Sequence, residues 1–288
     1  MKKIILTLLI LTTITLSNMS KAQKIEQTKN SLLWEITGNG LQKPSYLFGT
    51  IHMICENDFF ISEKLTKAIN HADQLVLEIN LADTTELKDL QQSMISSVPL
   101  SKQLTSIQYH YIDSVISHRM SLSLKQLENA SLLFLNSILL SSTLPCKTPK
   151  VYEIELIDLA RKRNLPIRAL ETVKDQVNSY NKAFPKDFLL SQMMLSNEYG
   201  EYFAKMIEDY KNEDISSLYS KMSDKRFLTD ESYKWMLTER NANWVKIMPE
   251  MMQKNSVLFA VGTAHLGGKD GVIELLKKKG YTVKPVLN

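Results

Sequence analysis

Two copies of one short pattern constrain this chain more than any other feature: Gly49-Thr50-Ile51-His52 near its beginning and Gly262-Thr263-Ala264-His265 near its end. Each follows an apolar run with strand character, Tyr46-Leu47-Phe48 in the first case and Val257-Leu258-Phe259-Ala260-Val261 in the second. With 9 Gly and 5 His in 288 residues, chance supplies well under one Gly-x-x-His match, so the pair is not accidental. Glycine three residues before histidine permits a turn, or the close approach of another main chain, where a strand ends. In α/β folds ligands gather at the carboxyl ends of strands, and an imidazole placed there is a metal ligand or an acid–base group. A single histidine in such a place is more often a satisfied core or loop residue; it is the repetition that makes the two motifs read as halves of one site.

The first 22 residues stand apart from the rest. Lys2 and Lys3 precede an apolar stretch from Ile4 to Leu16, and Ser20-Lys21-Ala22 supplies small residues before Gln23, the layout of a secretory signal peptide. The apolar part is short for a membrane span, and no cysteine stands at the cleavage point to take a lipid. The expectation is an exported chain, periplasmic or secreted, without a stable membrane anchor. The segment holds three lysines and no acid, which lowers the formal net charge from +4 to +1 in the remainder. A nearly neutral body without a Lys/Arg run argues against nucleic acid as a partner. Cys55 and Cys146 are the two cysteines, and in an oxidising compartment a disulfide between them is favoured over Cys55 serving as a soft metal ligand three residues after His52.

Residues 23–288 read as a single α/β domain: a central mixed sheet with flanking helices and a helical insertion over about 84–145. Leu32 to Ile36 and Ser45 to Phe48 flank the turn Gly38-Asn39-Gly40 as a hairpin. Ser62 is an N-cap for a helix to Asn70. Gln74 to Ile79 is a strand that carries Glu78 at its tip, and Leu165 to Glu171 is another that ends on an acid. The insertion shows helical spacing through Leu87, Leu90, Met94, Leu104, Ile107, Tyr111 and Val115, and closes on the turn from Pro145 to Pro149. Glu153 to Arg163 reads as an amphipathic helix, Phe188 to about Met252 as a helical stretch with Met193, Met194 and Met206 filling core, and Lys269 to Lys279 as a helix stopped by Gly280. His71, His110 and His118 have no acidic cluster beside them and read as surface residues.

The ordered set of motifs resembles the TraB/GumN family, which includes the TIKI metalloproteases and is similar to erythromycin esterases and ChaN-like haem-binding proteins. The matching pieces are Leu47 to His52, Leu77-Glu78, Leu170-Glu171-Thr172 followed by Gln176, Glu239-Arg240-Asn241 with Trp244, and Val261 to Gly268 with Gly271-Val272. The resemblance implies a divalent metal between His52 and His265, with Glu78 as a further ligand and Glu171 as an acid at the same place, and hydrolysis as the reaction. Where the family has Gly-x-Asp, this chain reads Val151-Tyr152-Glu153, which keeps an acid and loses the glycine.

The residues themselves agree with that picture. Two histidines and one or two carboxylates suit Zn²⁺, Mn²⁺, Co²⁺ or Fe²⁺ and leave a position for water. Glu78 is the stronger candidate ligand and Glu171 the candidate general base, while Arg240 either steadies an oxyanion or bridges the core. The expected partner is a peptide or small-molecule substrate. A metal-dependent peptidase leads, a metal-dependent esterase or lactone hydrolase uses the same chemistry, and a non-catalytic haem- or metal-binding protein is the alternative of another class.

Overall fold

The computed structural model describes residues 30–196 and 198–287, so the signal segment over 1–22 lies outside the described residues. The strands are β1 (Leu33–Thr37), β2 (Ser45–Thr50), β3 (Met53–Cys55), β4 (Gln74–Leu77), β5 (Pro149–Val151), β6 (Ile167–Ala169), β7 (Val257–Gly262) and β8 (Thr282–Pro285). The helices are α1 (Glu63–His71), α2 (Thr84–Ser93), α3 (Leu100–Gln103), α4 (Ser106–Met120), α5 (Leu132–Ser141), α6 (Tyr152–Lys162) and α7 (Val173–Ala183), followed by α8 (Lys186–Met194), α9 (Tyr199–Lys211), α10 (Ile215–Met222), α11 (Asp230–Tyr233), α12 (Glu239–Met252) and α13 (Val272–Lys278).

Six strands form a mixed sheet in the order β6-β4-β7-β2-β1-β8. β6, β4, β7 and β2 are mutually parallel, and β1 runs against both β2 and β8. The β1–β2 hairpin turns where predicted: Gly38, Asn39 and Gly40 all have positive φ, a run that only glycine and asparagine accept readily. Every residue of β4 and β7 is buried, as expected of central parallel strands covered on both faces. Their side chains join those of α1, α6, α12 and α13 in one core, where Phe259 and Trp244 are almost wholly enclosed. Each such large side chain contributes roughly 1.5–3 kcal/mol by leaving water.

The insertion packs around a second cluster that includes Leu100, Ile112, Ile116, Leu124, Leu135 and Leu139. It is not closed within 84–145, because Leu189, Leu190 and Met193 of α8 complete it. Two of the periodic positions face outward: Ile107 is 78% exposed and Leu87 37%. Ser62 caps α1 by accepting from the Leu65 N–H. Met193 and Met206 are buried as expected, whereas Met194 is only half-buried, and His71, His110 and His118 are exposed.

Three local readings change. The turn region before Val151 contains β5, which pairs with β3 in a short antiparallel ribbon, Met53 opposite Val151 and Cys55 opposite Pro149. The helical stretch from Phe188 to Met252 is broken into α8 to α12, with a π-helical segment at Lys234–Thr238. α13 begins at Val272 rather than Lys269, after a turn in which Gly268 takes φ +78°. Cys55 and Cys146 form a disulfide that ties the ribbon to the exit of the insertion.

Candidate active site at the strand ends

Parallel strands bring their carboxyl ends to one edge, and four neighbours here each deliver one side chain to it. In sheet order these are Glu171 after β6, Glu78 after β4, His265 after β7 and His52 after β2. Such an edge is where open α/β sheets bind ligands. Thr50 lies opposite Gly262 in the β2–β7 register, so the two Gly-Thr-x-His motifs are side by side.

Each motif's glycine makes room for the other motif. A Cβ on Gly49 would sit 2.9 Å from Thr263 Oγ1, and a Cβ on Gly262 would sit 2.9 Å from His52 Nε2 and 3.3 Å from Glu78 Oε1. The threonines lock the pair: Thr263 Oγ1 donates to the Thr50 carbonyl at 2.7 Å, and Thr50 Oγ1 donates to Glu153 Oε1 at 2.8 Å.

His52 stands in the left-handed region at φ +58°, an uncommon and costly place for a non-glycine residue. The Met53 N–H donates to the Ile51 carbonyl at 2.7 Å and the Tyr152 N–H donates to the His52 carbonyl at 2.8 Å, so the ribbon holds the turn. Nδ1 meets Glu153 Oε1 at 2.8 Å and Nε2 faces Gly262. The imidazole is 58% exposed. Crowding around the ring opposes its protonation, but the carboxylates of Glu153 and Glu78 outweigh this and hold its pKa up at about 9.

His265 is the opposite case. It is 4% exposed, packed against Trp244 with ring centroids 4.4 Å apart and planes tilted by 40°, and its Nδ1 meets Asn241 Oδ1 at 2.6 Å. Asn241 Nδ2 donates to the Asp270 carbonyl at 2.8 Å, which leaves Oδ1 as the acceptor and puts the imidazole proton on Nδ1. Burial, with Arg240 beside it, lowers the His265 pKa to about 3, so the ring is neutral with its Nε2 lone pair turned inward. That atom lies 3.7 Å from Glu78 Oε1 and 3.1 Å from Arg240 Nη1.

Arg240 clamps the two glutamates. Its Nη2 donates to Glu78 Oε2 and to Glu171 Oε1, both at 2.6 Å, and its Nε donates to Glu171 Oε1 at 3.0 Å. The remaining Nη1 points at His265 and at the Met236 carbonyl, which lies in the π-helical segment just before α12. Burial would raise the Glu78 pKa, but Arg240, the two histidines and the Gly262 N–H at 2.7 Å pull it well below the usual carboxylate range. For Glu171 burial prevails over Arg240, and its pKa is raised. Trp244 Nε1 donates to Glu171 Oε2 at 3.1 Å, and Gln176 Nε2 donates to both glutamates.

His52, Glu78, Glu171, Arg240 and His265 therefore share one strand edge, while Cys55 stands outside it in the disulfide. Among the described residues no three His, Cys, Asp or Glu side chains gather closely enough to hold an ion as they stand; the cation between Glu78 and Glu171 is Arg240. Glu153, left without a role by the change from Gly-x-Asp, is the acid that orients His52. Asn241 and Gln176 were matched as motif letters only; their tasks depend on which helix face meets which strand end. The spacing of Arg240, Asn241 and Trp244 on one helical face was the signal that could have found the first.

A polar cleft of about 330 Å³, lined in part by Lys182, Trp235 and Asn243, opens onto Glu171 and Arg240. No curated protein and no solved structure matches the chain. The model of the TraB/PrgY/gumN family matches residues 32–285, from the first strand of the sheet to its last and through every residue of the strand-end site, and the chain belongs to that family.

Proposed function

We propose that this protein is an exported, metal-dependent hydrolase whose substrate is a peptide. The observation that carries the reading is the orientation of the two imidazoles. Each has Nδ1 engaged by an acceptor, Glu153 for His52 and Asn241 for His265; Nε2 of His265 lies 3.7 Å from Glu78 Oε1, and Nε2 of His52 borders Gly262 beside that same oxygen. An oriented outer nitrogen is how metal-ligating histidines are held, and carboxylate–histidine pairs are a frequent form of it. In type and direction the donors fit a borderline divalent ion such as Zn²⁺, Mn²⁺, Co²⁺ or Fe²⁺, with His52, His265 and Glu78 as its holders. Such an ion, when bound, lowers the pKa of its water toward neutrality.

The chain's own residues supply the rest. Glu171, with its pKa raised by burial, is of the two glutamates the one suited to take a proton. Arg240 has its donors on Glu78, Glu171, His265 and Met236, so we assign it to fixing the two carboxylates in place and not to meeting an oxyanion. The disulfide fits an oxidising compartment, which supports export, and no helix among the described residues is long and apolar enough to cross a membrane.

The test is elemental analysis of the purified protein, followed by digestion of a peptide mixture with Mn²⁺, Co²⁺ or Zn²⁺ restored after chelation. Bound metal and metal-dependent cleavage are expected. A metal-free protein indifferent to all three ions would overturn the proposal, and cleavage of ester but not amide bonds would move it to the esterase reading.

A further inference from the structure

Gln176 joins the strand-end site to a second space. Its Nε2 donates to Glu78 Oε2 and Glu171 Oε1, each at 3.1 Å. Two carboxylates at one end of the amide require the NH₂ group there, so Oε1 is directed away from them. No donor among the described residues meets that oxygen. Gln176 also lines a cavity of about 250 Å³ between the insertion and α7, walled mainly by apolar side chains such as Leu90, Met94, Phe134, Val173 and Val177. Tyr180, one turn along α7, lines the same cavity, and its hydroxyl accepts from Asn136 Nδ2 at 3.0 Å. That hydroxyl keeps its proton to donate, since burial pushes the Tyr180 pKa up to about 12.

The cavity is smaller than the usual range for a whole drug-sized ligand and suits a single side chain. Of its polar side chains, Ser93 and Ser137 spend their hydroxyl protons on the Leu90 and Leu133 carbonyls, which leaves Gln176 and Tyr180, at adjacent turns of one helix face, to offer an acceptor and a donor, the complement of an amide N–H and C=O beside an apolar group. An ester or acyl chain lacks the N–H. We propose that this cavity is a substrate subsite for one aliphatic or aromatic side chain of a peptide, with Gln176 Oε1 accepting from a backbone N–H of that peptide and the Tyr180 hydroxyl donating to a carbonyl. The helical insertion is then the wall that sets sequence preference. The proposal rests on the hydrolytic reading of the site, because Gln176 is what places the subsite next to Glu171.

The test is a binding measurement that needs no turnover. Full-length protein labelled at its methionine methyl groups is titrated with N-acetyl-leucinamide, N-acetyl-glycinamide and isoamyl acetate, following the Met94 resonance by NMR. A saturable Met94 shift is expected with the leucine probe, at least about 10-fold tighter than with the glycine probe or the ester. Ser137→Trp, which fills the cavity from its exposed rim, should weaken the leucine probe by a similar factor with an unchanged melting curve. Val177→Trp narrows it from the α7 side and serves if the first variant does not fold. Equal shifts for all three probes, or an unmoved Met94, would overturn the subsite. So would cleavage of a peptide mixture without preference for a large apolar residue. Tight binding of the leucine probe by protein that cleaves no peptide would overturn the hydrolytic reading and leave the subsite standing.

Discussion

Arg240 sets one positive charge against two buried carboxylates, and the imbalance divides their roles. Glu78 keeps its charge because Arg240 and the Gly262 N–H both stabilise it, whereas Glu171 sits nearer to taking a proton. On the proposed metal-dependent reading, Glu78→Gln should abolish metal content and activity together. Glu171→Gln should retain metal and lose about 10²- to 10⁴-fold in turnover, the range for a deleted general base, as elemental analysis and kcat on both variants will read. The histidines make a second prediction, for metal-free protein. His265 falls to a pKa of about 3 on folding, so the unfolded chain binds the extra proton and stability drops as pH falls from 6.5 toward 3, by on the order of 4 kcal/mol for this one buried group. His52 has the opposite sign: its folded pKa of about 9 gives stability that is present below 6.5 and lost as pH rises through 9. Urea unfolding across pH should peak near 6.5, and His265→Gln should flatten the acid side. His52, His265 and Glu78 were legible in the sequence because each closes an apolar run. Glu153 was not, since its partner lies about a hundred residues away and only the β3–β5 ribbon brings the two together.

At the scale of elements, the parallel contact of β2 with β7 is close enough that a side chain at either motif's glycine would press on the other motif. Gly262 has φ −55°, which alanine adopts without strain, yet the added Cβ would meet His52 Nε2 and Glu78 Oε1. Gly262→Ala should fold with a melting temperature within a few degrees of wild type while kcat/KM falls by at least about 100-fold, the scale of loss for a misplaced catalytic group. A matching loss of stability would show instead that the strand had been pushed aside. Strands and long helices were readable from alternation and caps, and the hairpin from its Gly-Asn-Gly turn. The ribbon of two three-residue strands was not, because so short a segment has no period, and its pairing is fixed by the disulfide and by the turn at His52. The π-helical segment was equally invisible: nothing in Lys234 to Thr238 breaks a helix, and the wider turn goes with the reach of Arg240 to the Met236 carbonyl.

Two hydrophobic clusters divide the molecule, one under the sheet and one inside the insertion with α8. The smaller should open first. Amide exchange is expected to show α4 and α5 less protected than β4 and β7, and Leu135→Ala, which costs about 2–5 kcal/mol at a fully buried leucine, should accelerate exchange in the insertion and leave β7 unchanged. Equal acceleration in both would mean a single cooperative unit. The α/β class and the insertion were legible from the change of hydrophobic period, but the recruitment of α8 was not, because packing between distant helices leaves no local trace. The side-by-side placement of the two Gly-Thr-x-His motifs also orders events in time. A chain made from its N terminus exposes the first histidine early, and β2 then waits without its neighbour until β7, some two hundred residues later, has been synthesised. The growing polypeptide therefore keeps the two motifs apart until β7 has emerged, and the proposed site, which needs both histidines, cannot assemble before then.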